Sequence, residues 1–140
     1  MNRFVTINSV VTKARQLVSA NGRFEDIDFV VGMSRGGLIP AALIATEINK
    51  PLVAIYINKK DEIFFDREEW IVGKNILFVD DVCRTGTTLE LAIKCLKKCS
   101  VAKITTLTLF DILPIKKTTS PDIAHRVSED VKMPWDHDRD

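Results

Sequence analysis

Cysteine is scarce in this 140-residue chain, and the three present (Cys83, Cys95, Cys99) are an odd number that cannot close into a disulfide framework. A reducing, cytoplasmic setting is the simpler expectation. Excess charge of one sign is also missing: 20 Lys+Arg stand against 19 Asp+Glu, for a net charge of +1. That balance disfavours a protein whose main task is to hold a polyanion, although binding a small anion needs only a local cluster of donors. Long apolar runs are absent. The longest uncharged one, Leu38 to Thr46, falls far short of the roughly 20 residues that span a bilayer. The opening Met1-Asn2-Arg3-Phe4-Val5-Thr6 has no signal-peptide core either, so neither secretion nor membrane insertion is expected. Repeats, low-complexity tracts and linkers are lacking, and residues 1–140 read as one domain. No nucleophile constellation, no Gly-Lys-Ser/Thr phosphate loop and no Cys-x-x-Cys pair occurs.

What is present alternates between two periods. Val10, Val11, Ala14, Leu17 and Val18 share one helical face, with Asn8 or Ser9 as cap and Asn21-Gly22 as stop. Ile27 to Gly32 reads as a buried strand, Leu38 to Ile48 as a helix and Leu52 to Ile57 as a second strand. From Asn58 to Trp70 the chain turns polar, as a loop or an extended hairpin. Ile76-Leu77-Phe78-Val79 is an unbroken apolar run, as in a strand covered on both faces. Leu89, Ala92, Ile93 and Leu96 mark a helix, Ile104 to Phe110 a strand, and Ile123 to Val127 a weaker one. Helices alternating with apolar strands predict an α/β domain around a mostly parallel sheet flanked by helices.

Two strand-to-helix junctions carry chemistry. In Ile76 to Thr88 a buried strand ends in Asp80-Asp81, and Val82-Cys83-Arg84-Thr85-Gly86-Thr87-Thr88 then opens a helix. The carboxyl ends of parallel strands are where α/β proteins place ligands. Thr85 to Thr88 can offer N–H groups and hydroxyls to a phosphate, and the two carboxylates can hold sugar hydroxyls, a divalent cation, or both. The second junction is Val30-Val31-Gly32-Met33-Ser34-Arg35-Gly36-Gly37-Leu38-Ile39-Pro40, where two glycines permit close approach of an anion and Arg35 supplies a forked cation.

The segment from Ile76 to Thr88 resembles the phosphoribosyl-pyrophosphate (PRPP) signature of the type I phosphoribosyltransferases. The resemblance implies that Asp80 and Asp81 hold the ribose hydroxyls and associated Mg²⁺, and that Arg84, Thr85, Gly86, Thr87 and Thr88 wrap the 5′-phosphate. Ser34-Arg35-Gly36-Gly37 then looks like the family's pyrophosphate loop. The order Phe4-Val5-Thr6, Ser-Arg-Gly-Gly-Leu-Ile-Pro and Pro134-Trp135-Asp136 is similar to the xanthine-guanine type, in which the last segment closes over the base. By that likeness Val131 and Asp136 become candidates for base recognition, while Trp135 reads either as a terminal packing anchor or as a neighbour of the ligand. The terminal segments are expected to form a small hood.

The implied activity is Mg²⁺-dependent transfer of 5-phosphoribosyl from PRPP to a nucleobase, releasing pyrophosphate. The acceptor it suggests is a 6-oxopurine such as xanthine, guanine or hypoxanthine. Asp80, Asp81 and Arg35 are the expected catalytic residues, with Asp80 and Asp81 also the metal ligands. The family further implies a homodimer or higher homo-oligomer. The alternatives are another acceptor base and a non-catalytic PRPP- or nucleotide-sensing regulator. Nucleic acid is a disfavoured partner, with Lys94, Lys97, Lys98 and Lys103 reading as a solvated helix face.

Three departures stand out. Arg84 occupies the place where purine-specific members carry a third Asp. Asp111 and Ile112 follow the strand where those members place a base-binding Lys, and the nearest lysines are Lys116 and Lys117. No stacking aromatic precedes Pro134; Asp130 and Val131 stand there. Lys59 and Lys60 lie in an Asn58–Glu69 loop that is a candidate for closing over the reaction centre. Cys95 and Cys99 read as helix packing, His125 as a structural histidine, and His137 to Asp140 as a solvated end.

Overall fold

Along the chain, apolar runs too short for a helix pair with one another, and the segments with helical spacing cover them. The computed structural model describes residues 2–136; the run His137 to Asp140 lies outside the described residues. The elements are β1 (Asn2–Phe4), α1 (Ile7–Asn21), β2 (Phe29–Met33), α2 (Leu38–Ile48), β3 (Leu52–Ile57) and β4 (Ile63–Phe65). A 3-10 turn (Glu68–Trp70) follows, then β5 (Asn75–Cys83), α3 (Thr87–Lys98), β6 (Lys103–Ile112), β7 (Ile123–Val127) and β8 (Asp130–Lys132).

Six strands form one sheet in the order β4-β3-β2-β5-β6-β7, parallel throughout except for the β3–β4 hairpin. The expected α/β architecture is what the chain adopts. From the central pair β2 and β5 the connections run outward in opposite directions. Crossovers of a single hand therefore put α2 and α3 on opposite faces. On one face α1 and α2 pack Val10, Ala14, Leu17, Ala41 and Ile44 against Val30, Leu77, Val79 and Leu107. On the other, Leu89, Ala92 and Leu96 of α3 meet Val31, Val53, Ile76 and Phe78. The four residues Ile76 to Val79 are fully buried, each contributing about 1.5–3 kcal/mol of apolar burial. This central strand can thus carry an unfavourable pair of carboxylates at its end.

β5 runs further than its apolar core suggests. Its ladder with β6 continues through Asp80↔Thr108, Val82↔Phe110 and Cys83↔Asp111, so the acidic pair lies within the strand. Helix α1 begins earlier than expected, because Thr6 rather than Asn8 or Ser9 is the N-cap, and its hydroxyl accepts the Ser9 N–H at 3.1 Å. It stops at Gly22, whose left-handed φ of +53° closes the last turn onto Val18.

β1 and β8 pair in parallel as a separate two-stranded sheet, Arg3 opposite Val131, and form the hood. Residues 58–70 are a hairpin rather than an open loop. The Asn58 carboxamide accepts the Lys60 and Glu62 N–H groups at 2.8 and 2.9 Å, and the Asp66 carboxylate accepts the Ala54 N–H at 3.0 Å. Cys95 and Cys99 are partly buried on α3, and no group of three metal-ligating side chains occurs among the described residues. Burial, and Glu68 whose carboxylate takes the thiol hydrogen at 3.3 Å, push the Cys99 thiol up to about 11.

Candidate functional site

β2 and β5 are neighbours in the sheet, and the loops that leave their carboxyl ends face each other. This is the point where the chain's connections reverse direction, the usual ligand position in an open α/β sheet. The structure brings Ser34, Arg35, Gly36, Asp80, Asp81 and Asp136 together around one cleft of about 430 Å³, with Met33, Ile39 and Trp135 completing its wall. A second cleft of about 220 Å³ is lined by Asp80, Arg84, Thr85, Gly86, Thr87 and Thr88, with Val82, Cys83, Leu89 and Thr108. Asp80 borders both, so a ligand lying across it reaches the two loops at once.

The Gly36-Gly37 pair is demanded by space rather than by backbone angle. A Cβ on Gly36 would overlap Asp81 Oδ2 and lie 2.9 Å from Trp135 Nε1. One on Gly37 would lie 2.7 Å from the Met33 carbonyl and 2.9 Å from Asp80 Cα. Without side chains, the first loop can lie directly against the end of β5. The Ser34–Arg35 peptide is cis.

Each carboxylate is oriented by its own strand. Asp80 Oδ1 accepts the Asp81 N–H and Asp81 Oδ1 accepts the Val82 N–H, both at 2.8 Å. Among the described residues neither makes an ion pair. Enclosure by protein atoms, and then the Asp81 charge beside it, hold the Asp80 carboxyl well above the usual carboxylate range. A site that works against its own negative charge is suited to a cation. A pair of carboxylates with room for substrate oxygens fits Mg²⁺, which commonly takes one or two carboxylates and completes its shell with phosphate oxygens and water.

Gly86 closes the second loop in the left-handed region, with φ +86°, and sits where a Cβ would overlap the Thr119 carbonyl. Thr85 and Thr87 hydroxyls lie 3.0 Å apart at the start of α3. Arg84 departs from the expected arrangement. It is among the residues lining the 220 Å³ cleft, but its guanidinium turns to the hood, where Nε meets Asp130 Oδ1 at 2.9 Å and Nη2 the Val131 carbonyl at 3.1 Å. The side chain is thus committed to a clip between loop and hood rather than to a phosphate. The Val131 side chain is fully buried in the core, so only its backbone, whose carbonyl accepts from Arg84, is left for the contact expected of it. Asp136 lines the larger cleft while its carboxylate accepts the Met133 N–H at 2.8 Å.

Two contacts have no counterpart in the sequence reading. Trp135 packs on the core, as its anchor reading expects, and also donates its indole N–H to Asp81 Oδ2 at 3.0 Å. Asp111 is buried, with Lys117 Nζ 3.3 Å and Arg126 Nε 3.5 Å from its oxygens, so Lys117 folds back to the end of β6. The lysine-after-aspartate spacing is a faint signal for the second contact, and only the tertiary fold resolves it. His125 is structural, its Nε2 lying 3.0 Å from the Lys13 carbonyl.

Known proteins place this geometry. The structure is similar to a purine phosphoribosyltransferase from Pyrococcus horikoshii, with a TM-score of 0.82 and 27% identity over 96% of this chain and 94% of that one. In sequence the chain is 32% identical over 93 residues to an orotate phosphoribosyltransferase of Sulfurisphaera tokodaii, covering 64% of this chain and 42% of the relative. It is also 36% identical over 89 residues to the transcriptional regulator GfcR of Methanococcus vannielii, covering 56% of this chain and 42% of the regulator. The chain therefore spans less than half the length of these two relatives. The model of the phosphoribosyl transferase domain matches residues 7–138, both donor loops and the acidic pair included, and the chain belongs to that family.

Proposed function

We propose that the protein transfers the 5-phosphoribosyl group of PRPP to a ring nitrogen of a nucleobase, with a 6-oxopurine such as xanthine, guanine or hypoxanthine as acceptor. The observation that carries this reading is Asp80 standing between two donor loops, one shaped for a terminal phosphate and one for a second anionic group. The nitrogen lone pair forms the new bond to the anomeric carbon, the C–O bond to pyrophosphate breaks with its electron pair leaving on the pyrophosphate oxygen, and the ring N–H proton of the base passes to water. Thr85 to Thr88 hold the 5′-phosphate, and Asp80 and Asp81 orient the ribose hydroxyls. Arg35 and the Gly36-Gly37 amides receive the charge that develops on the leaving group. Asp80 and Asp81 would hold Mg²⁺, which when bound would supply further charge neutralisation for the leaving group.

A regulator that senses PRPP or a nucleotide is the second reading. It is favoured by the likeness to GfcR and by Arg84 clipped to Asp130 where purine-specific members carry a carboxylate. The expected basic stripe lends it little, since Lys94 of α3 pairs with Glu90 at 3.2 Å, and Lys103 opens β6 rather than sharing the helix face and lies 3.7 Å from Asp26. No helix among the described residues is long and apolar enough to cross a membrane. A cytoplasmic setting and a homo-oligomer belong to this proposal.

The test is protein, PRPP and Mg²⁺ with individual purines and with orotate, following nucleotide and pyrophosphate. Product with a 6-oxopurine is expected; product with orotate alone would move the acceptor to the pyrimidines. Tight PRPP binding without product from any base would replace the transferase by the sensor. Trp135 offers an independent report, because its N–H shares Asp81 with the ligand. In Trp70→Phe, which leaves Trp135 as the single remaining tryptophan of two, Mg²⁺ with pyrophosphate should produce a saturable change in emission. The Trp135→Phe protein should show none.

A further inference from the structure

Between β6 and β7 the chain runs beside the Thr85–Thr88 loop and ties down its carbonyls. Lys117 Nζ donates to the Arg84 carbonyl. The Thr118 N–H donates to the Thr85 carbonyl at 2.8 Å, and the Thr118 hydroxyl reaches the same oxygen at 3.3 Å. One residue further, the Thr119 backbone packs where a Gly86 side chain would otherwise be, and its carbonyl accepts from the Cys83 thiol at 3.9 Å.

A trans peptide is planar, so its C=O and N–H point in opposite directions. The 84–85 and 85–86 peptides are both trans. Holding the Arg84 carbonyl toward Lys117 therefore turns the Thr85 N–H away from this segment. Holding the Thr85 carbonyl toward Thr118 turns the Gly86 N–H the same way. On that side lies the 220 Å³ cleft, to whose lining residues 117–119 contribute nothing. Among the described residues neither N–H has a protein acceptor.

Lys117 itself is held firmly. Its side chain is 10% exposed, and its ammonium faces the Ile112 carbonyl at 2.6 Å and Asp111 Oδ1 at 3.3 Å as well as the Arg84 carbonyl. The two carbonyls accept hydrogen bonds from the ammonium, while Asp111 Oδ1 faces it as an ion-pair partner without one. Such a group fixes geometry instead of moving with solvent. It also shares with Arg126, whose Nε lies 3.5 Å from Asp111 Oδ2, the neutralisation of the Asp111 carboxylate, which is 2% exposed.

We infer that Lys117 is a positioning residue which, together with Thr118, aims the Thr85 and Gly86 N–H groups at an incoming phosphate. The inference rests on the reading of this loop as the phosphate site. Prealigned dipoles need no reorganisation when the anion arrives, and releasing the carbonyls would let both peptide planes turn.

Calorimetric titration with ribose 5-phosphate tests the inference, with pyrophosphate and Mg²⁺ as the probe for the other loop. Lys117→Met should weaken ribose 5-phosphate by about tenfold, while pyrophosphate affinity stays within about twofold. The double variant Asp111→Asn/Lys117→Met keeps no orphaned carboxylate and should show the same selective loss, and Lys117→Arg should recover part of it. Equal ribose 5-phosphate affinity in the wild type and the folded double variant would overturn the inference. An equal loss of both ligands would overturn it too, since that pattern belongs to a general structural role. A wild type that binds no ribose 5-phosphate at all would instead overturn the phosphate-loop reading beneath it.

Discussion

Asp80→Asn/Asp81→Asn is expected to lower turnover by at least about a thousandfold, and Asp80→Asn alone to make the protein more heat-resistant. The first effect follows from the proposed roles: an amide neither neutralises a cation nor accepts from ribose hydroxyls as a carboxylate does. The second follows from the cost of the charge. The substituted carboxamide would retain an oxygen for the Asp81 N–H, now 2.8 Å from Asp80 Oδ1, while removing the repulsion from Asp81. In the folded chain Asp80 holds its proton more tightly than at its ordinary value of 3.8. Its contribution to stability is therefore fully present below that pH and is lost as pH rises through the folded-state value. The gain of Asp80→Asn over the wild type should accordingly be small in acid and grow toward neutrality, to about 2–5 °C in Tm. Mg²⁺ with pyrophosphate should raise the wild-type Tm and leave the double variant unchanged. Retained turnover in the double variant would remove Asp80 and Asp81 from the mechanism. A Tm for Asp80→Asn that falls below the wild type at neutral pH would remove the argument from charge.

Gly86→Ala should be the most damaging single methyl group in the chain. At φ +86° any L side chain is strained, and the added Cβ would overlap the Thr119 carbonyl. That neighbour is backbone and cannot rotate aside. Either the loop or residues 117–119 must shift, breaking the bonds from Lys117 and Thr118 to the Arg84 and Thr85 carbonyls. A destabilisation of about 2–4 kcal/mol is expected, read by denaturant melts, with PRPP affinity falling more than the stability loss alone accounts for. Gly22→Ala is the control. Its φ is also left-handed, at +53°, but no atom lies within 4 Å of the added carbon. The control should lose only the backbone-strain part and keep its affinity.

Much of this arrangement is legible before folding, because β2, α2, β3 and the centre of β5 are bounded by apolar runs and turn residues whose physics is local. The acidic pair and Gly-Gly loop are legible for the same reason, being contiguous in sequence. What escapes is whatever depends on a distant partner. The polarity of Asp80-Asp81 hides the continuation of β5, which is set by pairing with Thr108 to Asp111. Arg84 looks like a phosphate ligand until Asp130, far along the chain, is seen to take its guanidinium. Likeness to a family places a segment but not the direction of each side chain. Val131 therefore stands at the expected place in the hood with its side chain in the core. Lys117 looks too far from the end of β6 to matter, since only a folded turn returns it to Asp111.

The parallel pairing of Asn2 with Asp130 gives the molecule an order in time. Both donor loops lie between β2 and the start of α3, and the second is completed only by residues 117–119 between β6 and β7. The hood joins strands from opposite ends of the described chain, so among the described pairings it bears the largest loop-closure entropy and forms after the main sheet. In the proposed reading, folding would thus assemble the hold on phosphate before the hood, and with it any discrimination among acceptors. On unfolding, that discrimination would be the first property surrendered.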